Sequence, residues 1–270
     1  SYATPRSTWE YKVRSGDILL LKQKSVSGCF TDADYTVETI TASAKDGTEI
    51  PISLVYKGSK RPNSPQPLLL TGYGAYGYPN DPYFNIARLS LLDRGVIFAT
   101  AHVRGGGEFG KRWHEQGRML LKRNTFTDFI ACAEYLCQLN LTIKKRLVIQ
   151  GGSAGGLLVG AVLNMRPDLF EGAVLQVPFV DLINTMLDQS LPLTVGEFEE
   201  WGNPKEAQYF REMISYSPYD NLSRQSYPAM LVETSFHDSQ VMYWEPAKYV
   251  AKLRTLKKDD VNPLLLRVNM

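Results

Sequence analysis

Histidine and cysteine are both scarce in this chain of 270 residues, with three of each: His102, His114 and His237, and Cys29, Cys132 and Cys137. An odd number of cysteines, the last two five residues apart, fits neither a disulfide framework nor a metal-ligand spacing. Without a cysteine cluster or paired histidines there is no zinc motif, so no metal and no other cofactor is expected. Sparse, unpaired cysteine suits a reduced, cytoplasmic setting. No apolar run approaches the roughly 18 residues of a membrane span. The opening SYATPRSTWEYKVRSGD has no apolar signal core. Charge of one sign is also missing. A net charge of +2 is too weak to call for nucleic acid or an anionic membrane as partner.

What is present is an ordinary globular composition, 44% hydrophobic and 21% charged, over a length that buries a sizeable core. TWEYKV and DILLLKQ, joined by RSG, read as a β-hairpin. Short apolar runs follow in order: VETITASA, IPISLVYK, PLLLTGYG, GVIFATAHV, RLVIQGG, GAVLQVP, AMLVETSF and PLLLRVNM. The first two flank the turn signal KDGTE and predict an antiparallel pair. The later ones are nearly continuous, as in parallel strands covered on both faces. Helical spacing marks TFTDFIACAEYLCQL, SAGGLLVGAVLNM and YWEPAKYVAKLRTL, where Pro246 is tolerable only near a helix start. Alternation of strand and helix predicts an α/β domain with an eight-stranded, mostly parallel sheet and helices on both faces.

Within QGGSAGGLL, Gly151, Ser153 and Gly155 form G-x-S-x-G between a predicted strand and a predicted helix. That context is required by the nucleophile elbow of the α/β-hydrolase fold. Glycine is needed there because the serine sits on a strained turn and the helix must approach the strand closely, with Gly156, Gly160 and Ala161 as the contact face. The amides at the helix start favour developing negative charge. The same turn also occurs in phosphate-binding or purely packed loops. In the hydrolase order of serine, acid, histidine, the acid follows the strand two after the nucleophile's, which selects Asp238 after AMLVETSF. The histidine is expected after the eighth run, and the sequence ends there at Met270. His102 reads as structural, His114 as a surface or domain-contact residue, and His237 only precedes the acid. The base is therefore expected to lie outside these residues.

The segments GYGAYG, AHVRGGGEFG, GGSAGG, VPFVD, GEFEEWGNP, YSPYDN and HDSQVMYWEPAKYVAKLR resemble, in register, the catalytic region of the prolyl oligopeptidase family, in particular its branch that cuts after basic residues. The resemblance implies a serine peptidase that hydrolyses short peptides after Arg or Lys, and a β-propeller domain of the same chain. It implies residues 1–24 as the remnant of the last propeller strands and 25–270 as an α/β-hydrolase domain lacking its C-terminal end. On this reading the chain is cut at both ends and inactive by itself. The resemblance also implies Tyr73 and Ala154 as an oxyanion hole, Glu197 and Glu199 as the acidic pair for the basic side chain, Tyr76 and Phe179 as lining of that pocket, and Asp81 at the next subsite. The second acidic position of that subsite is Tyr83 here, a departure from bacterial members. Gln240 stands where post-proline cutters carry an arginine. The alternatives are an acyl-peptide or ester hydrolase on the same fold and a non-catalytic, α/β-hydrolase-like binding module.

Overall fold

The computed structural model describes residues 1–28, 30–258 and 261–270. Cys29, counted above among the cysteines, lies outside the described residues. Among the described residues ten strands run in chain order: β1 (Ser7–Tyr11), β2 (Ile18–Gln23), β3 (Tyr35–Ser43), β4 (Glu49–Lys57), β5 (Leu68–Thr71), β6 (Ile97–Ala101), β7 (Leu147–Gly152), β8 (Gly172–Gln176), β9 (Ala229–Ser235) and β10 (Leu264–Asn269). The α-helices of the described residues are α1 (Ile86–Leu92), α2 (Lys111–Glu115), α3 (Arg123–Gln138), α4 (Ala154–Met165), α5 (Leu182–Leu187), α6 (Thr194–Trp201), α7 (Ala207–Tyr216) and α8 (Trp244–Leu256).

All eight apolar runs became strands of one sheet, ordered β10-β9-β8-β7-β5-β6-β4-β3. β3 pairs with β4 and β4 with β6 antiparallel, and every other neighbouring pair is parallel. The three predicted helices are α3, α4 and α8. Pro246 sits in the first turn of α8, where its missing N–H costs no helical hydrogen bond.

Period-two alternation gives the sheet two unequal faces. Ile149, Ala173 and Met230 are in register on adjacent strands and fully buried with Leu70 and Val232. The helices α3 and α4 belong to the same core, with Phe126, Phe129, Leu157 and Leu158 fully buried in it. The opposite row of Thr71, Gln150, Val174 and Leu231 is only half-buried. On that face α1 brings Leu89 and Leu92 against Val55 and Phe98, over β4 and β6.

The opening hairpin forms as expected, with Thr8 opposite Lys22 and a bulge between Thr8 and Trp9. It pairs with no strand of the main sheet. Trp9, Tyr11, Ile18, Leu19, Leu20 and Leu21 are exposed on it. Its lead-in does touch the α/β layer, since Tyr2 is buried with Val55, Leu89 and Leu92.

Candidate active site

Ser153 follows the last residue of β7 and is the N-cap of α4, with φ 54° and ψ −120°. This left-handed conformation is costly for a residue with a β-carbon and survives only where its surroundings fix it. They do so by backbone contacts. The Ser153 amide donates to the Gln176 carbonyl at 2.9 Å, and the Ser153 carbonyl accepts from the Phe179 amide at 3.1 Å. A β-carbon on Gly151 would lie 2.1 Å from the Gly155 carbonyl oxygen, so only glycine lets strand and helix close into this elbow. The expected contact face of Gly156 and Gly160 does not meet the strand: Gly156 packs against Pro178, after β8, and Gly160 against Pro218, after α7, while the close approach to β7 is that of Gly155 to Gly151. Ala154 is the first helical residue and its amide has no acceptor inside the helix.

A cavity open to solvent lies beside Ser153. Its lining includes Tyr73, Tyr76, Phe179, Glu197, Val241 and Met242. Tyr73 follows β5 and its side chain interacts with Ser153; burial first, then Glu197 and Glu200, raise its hydroxyl above the ordinary phenol value. Tyr76 is strained at φ 59°. Its hydroxyl donates to Glu197 Oε2 at 2.7 Å and is driven well above the phenol range by burial and then by that carboxylate. Trp201 Nε1 donates to the same oxygen at 2.7 Å. Phe179 meets the Trp201 ring edge-on at a centroid distance of 5.6 Å. The result is an aromatic-walled recess with one carboxylate at its end.

The three glutamates of GEFEEW part company because a helix turns about 100° per residue. Glu197 faces the cavity. Glu200 is buried, accepting from His114 Nε2 at 2.6 Å and lying 3.8 Å from Lys122 Nζ. Glu199 is exposed, and the contact made there is from Arg118 Nη1 to its backbone carbonyl at 2.9 Å. The structure does not bring Glu199 to the cavity. Nor does it bring Asp81, which is exposed and borders a different cavity under α1. His114 is not a surface residue: it is half-buried because the buried Glu200 carboxylate needs a donor.

Lys122 is a member of this cluster that no sequence motif singles out. It is fully buried, donates to the Gly74 carbonyl at 2.5 Å and lies 4.7 Å from the centroid of the Trp201 ring. Burial pulls its ammonium down to about 8, against the opposing pull of Glu200. It thus ties the loop carrying Tyr73 and Tyr76 to the wall that holds Glu197. No sequence signal could have found it, because Gly74, Lys122 and Trp201 are widely separated in the chain.

Asp238 lies in the turn after β9, two strands from β7, at the same edge of the sheet as Ser153. Its Oδ1 accepts the amides of Gln240 at 2.9 Å and Val241 at 3.0 Å, and Oδ2 takes no hydrogen bond from the described residues. The Phe236 amide donates to the Asn269 carbonyl at 2.8 Å, so the end of β10 lies beside this turn. No histidine bonds Ser153. His102 joins Ser53 Oγ at 2.8 Å and Glu108 at 3.1 Å, a structural role. His237 is exposed against Phe236. Among the described residues no cluster of three or more His, Cys, Asp or Glu side chains could hold a metal, and no helix is long and apolar enough to cross a membrane.

Sheet order, elbow and the placement of the turn after β9 define an α/β-hydrolase. Residues 82–270 match the prolyl oligopeptidase family, and the chain belongs to it. It is 48% identical to dipeptidyl aminopeptidase BI of Pseudoxanthomonas mexicana, over 100% of this chain and 37% of that protein. The structure of oligopeptidase B from Leishmania major superposes with a TM-score of 0.95 at 51% identity, covering 100% of this chain and 37% of that one. Oligopeptidase B from Trypanosoma brucei, in a closed form with covalently bound antipain, gives the same TM-score and identity over 100% and 38%. The chain thus spans less than two fifths of the length of these relatives.

Proposed function

We propose that the chain is the catalytic portion of a serine peptidase that cleaves short peptides after Arg or Lys. Ser153 is the nucleophile, attacking the scissile carbonyl to form a tetrahedral intermediate. The Ala154 amide and the Tyr73 hydroxyl donate to its oxyanion, each worth about 3 kcal/mol in the transition state. A histidine takes the serine proton and passes it to the leaving amine, and water then hydrolyses the acyl-enzyme. Asp238 orients that histidine through its unbonded Oδ2. The base is not one of His102, His114 or His237, and these 270 residues alone have negligible turnover.

Substrate preference rests on Glu197. With Oε2 held by Tyr76 and Trp201, its Oε1 takes the guanidinium or ammonium of the substrate, while Tyr76 and Phe179, which line the cavity, flank its stem. Glu199 acts from the rim as a charge and not as a direct partner. The hydrolase unit is residues 25–270, and residues 1–24 are a remnant of the last strands of a propeller domain, a reading supported by the exposed apolar side chains of the hairpin, although Tyr2 in its lead-in packs on the hydrolase unit. That domain, a propeller in this reading, limits access to short basic peptides. Asp81 serves a subsite outside the recess.

The observation that carries this reading is the strained Ser153 opening on a cavity that ends in Glu197. Calorimetric titration of the chain with benzamidine, an aryl cation, tests it. Binding is expected to weaken in Glu197→Gln by about 1–3 kcal/mol, the value of a charge-assisted hydrogen bond. Equal affinity in wild type and variant overturns the assignment.

A further inference from the structure

Among the described residues one serine bonds a histidine, and it is not Ser153. Ser53, at the middle of β4, places its Oγ 2.8 Å from His102 Nε2. On the other side of the ring, His102 Nδ1 lies 3.1 Å from Glu108 Oε1. The same carboxylate oxygen accepts the Asn80 amide at 3.0 Å and Asn80 Nδ2 at 2.9 Å. Burial raises the Glu108 carboxyl, but His102 and Asn80 outweigh it and hold the group below the ordinary carboxylate value. An ionised carboxylate only accepts hydrogen bonds. In the neutral imidazole, Nδ1 therefore carries the proton and Nε2 accepts from the Ser53 hydroxyl. That is the order of contacts in a serine, histidine, acid relay.

The relay ties β4 to the loop after β6, and its surroundings give it more than that. Ser53 is half-buried and stands opposite Thr100 of β6, so the two side chains share one face of the sheet. Thr100 and Asn80 both border a cavity of about 340 Å³. A small acyl group therefore has space beside the hydroxyl. What Ser53 lacks is an oxyanion hole. It lies mid-strand between β3 and β6, where the ladders take up the backbone amides. No helix starts there, as one does at Ser153. Loss of an oxyanion donor costs about 10²–10³ in rate. A peptide amide is then out of reach, and only an electrophile with a good leaving group reacts.

We propose that Ser53 is a covalent modification site that takes one acyl group from an activated ester, with His102 as general base and Glu108 as the carboxylate that orients it. The Ser53 oxygen attacks the ester carbonyl carbon while His102 Nε2 takes the hydroxyl proton. The tetrahedral adduct collapses, the bond to the leaving oxygen breaks, and His102 Nε2 gives its proton to that oxygen. The products are an O-acyl serine and a free alcohol. Glu108 balances the imidazolium charge between the two proton transfers. The inference is independent of the reaction assigned to Ser153.

The test treats the 270-residue chain with p-nitrophenyl acetate and follows each acetylated serine by peptide mass spectrometry. A general base contributes about 10²–10⁴ in rate. Ser53 is therefore expected to be acetylated at least about 100-fold faster than the exposed Ser59, which bonds no histidine. A rate at Ser53 no higher than that at Ser59 overturns the proposal. This comparison is made within one wild-type chain and does not depend on how a variant folds. His102→Gln can still hydrogen-bond Ser53 but takes no proton, and should bring Ser53 down to the Ser59 rate. Full reactivity of Ser53 in that variant overturns the relay. Glu108→Gln no longer selects the tautomer and should slow Ser53 at least about tenfold. An unchanged rate there removes Glu108 from the relay and overturns its role.

Discussion

Glu197 and Trp201 stand one turn apart on α6, and the indole Nε1–H donates to Glu197 Oε2 across 2.7 Å. The Tyr76 hydroxyl reaches the same oxygen at the same distance. Both donors meet on one oxygen, which holds the carboxylate in place and leaves Oε1 without a hydrogen bond from the described residues. A group ordered before its ligand arrives loses less entropy on binding.

Trp201→Phe keeps the aromatic wall and deletes the donor. Benzamidine affinity should fall by about 0.5–1.5 kcal/mol, the net value of a neutral hydrogen bond. Glu199→Gln should cost less than about 0.5 kcal/mol, and that loss should vanish in high salt, as an exposed charge is screened. A Glu199 effect as large as that of Glu197 would return it to the recess.

Ser153 lacks a histidine partner among the described residues, so its hydroxyl is expected to keep ordinary reactivity. A fluorophosphonate probe should label the chain no faster than it labels Ser153→Ala, because members of a triad act as a unit. Rapid labelling confined to Ser153, read by mass spectrometry, would reveal a base among these 270 residues.

Lys122→Met leaves Glu200 with His114 alone and frees the Gly74 carbonyl. Breaking one partner from a buried ion pair costs about 3–5 kcal/mol. Glu200→Gln in the Lys122→Met background should recover part of that loss. A double-mutant cycle by urea unfolding measures the coupling, and strict additivity would show that the two groups act independently.

Glu245, 1% exposed, accepts the amides of Val180 and Asp181 and the Thr185 hydroxyl. Its carboxyl is pushed up to about 7, by burial first. The neighbouring Asp181, itself bonded to Lys248, adds to the rise. An acid whose folded-state value is raised favours the fold in its protonated form. Its contribution is complete below the ordinary value of 4.5 and is lost as pH rises to about 7. The total loss is about 3 kcal/mol. Glu245→Gln should therefore gain on wild type as pH rises through that window and hold the gain above it. Urea unfolding at about pH 5 and about pH 8 measures it, and an equal difference at both removes Glu245 as the source.

The strands, the elbow and the turn that carries Asp238 were legible in the sequence because each is local. An apolar run fixes a strand, Gly151 and Gly155 fix how closely α4 can approach β7, and Asp238 follows β9 directly. The sheet then brings the strand ends to one edge. Side-chain direction was not legible, because it depends on which helix face meets the core. The adjacent glutamates at 199 and 200 are divided between water and a buried ion pair by the rotation of α6. Contacts between distant segments were equally hidden: His114 with Glu200, Lys122 with Gly74, Ser53 with His102. Composition and spacing determined the fold class and the elbow that presents Ser153. Only the tertiary structure decided which carboxylate ends the recess and which serine meets a histidine, because burial and pairing are properties of surfaces that meet after the chain has folded.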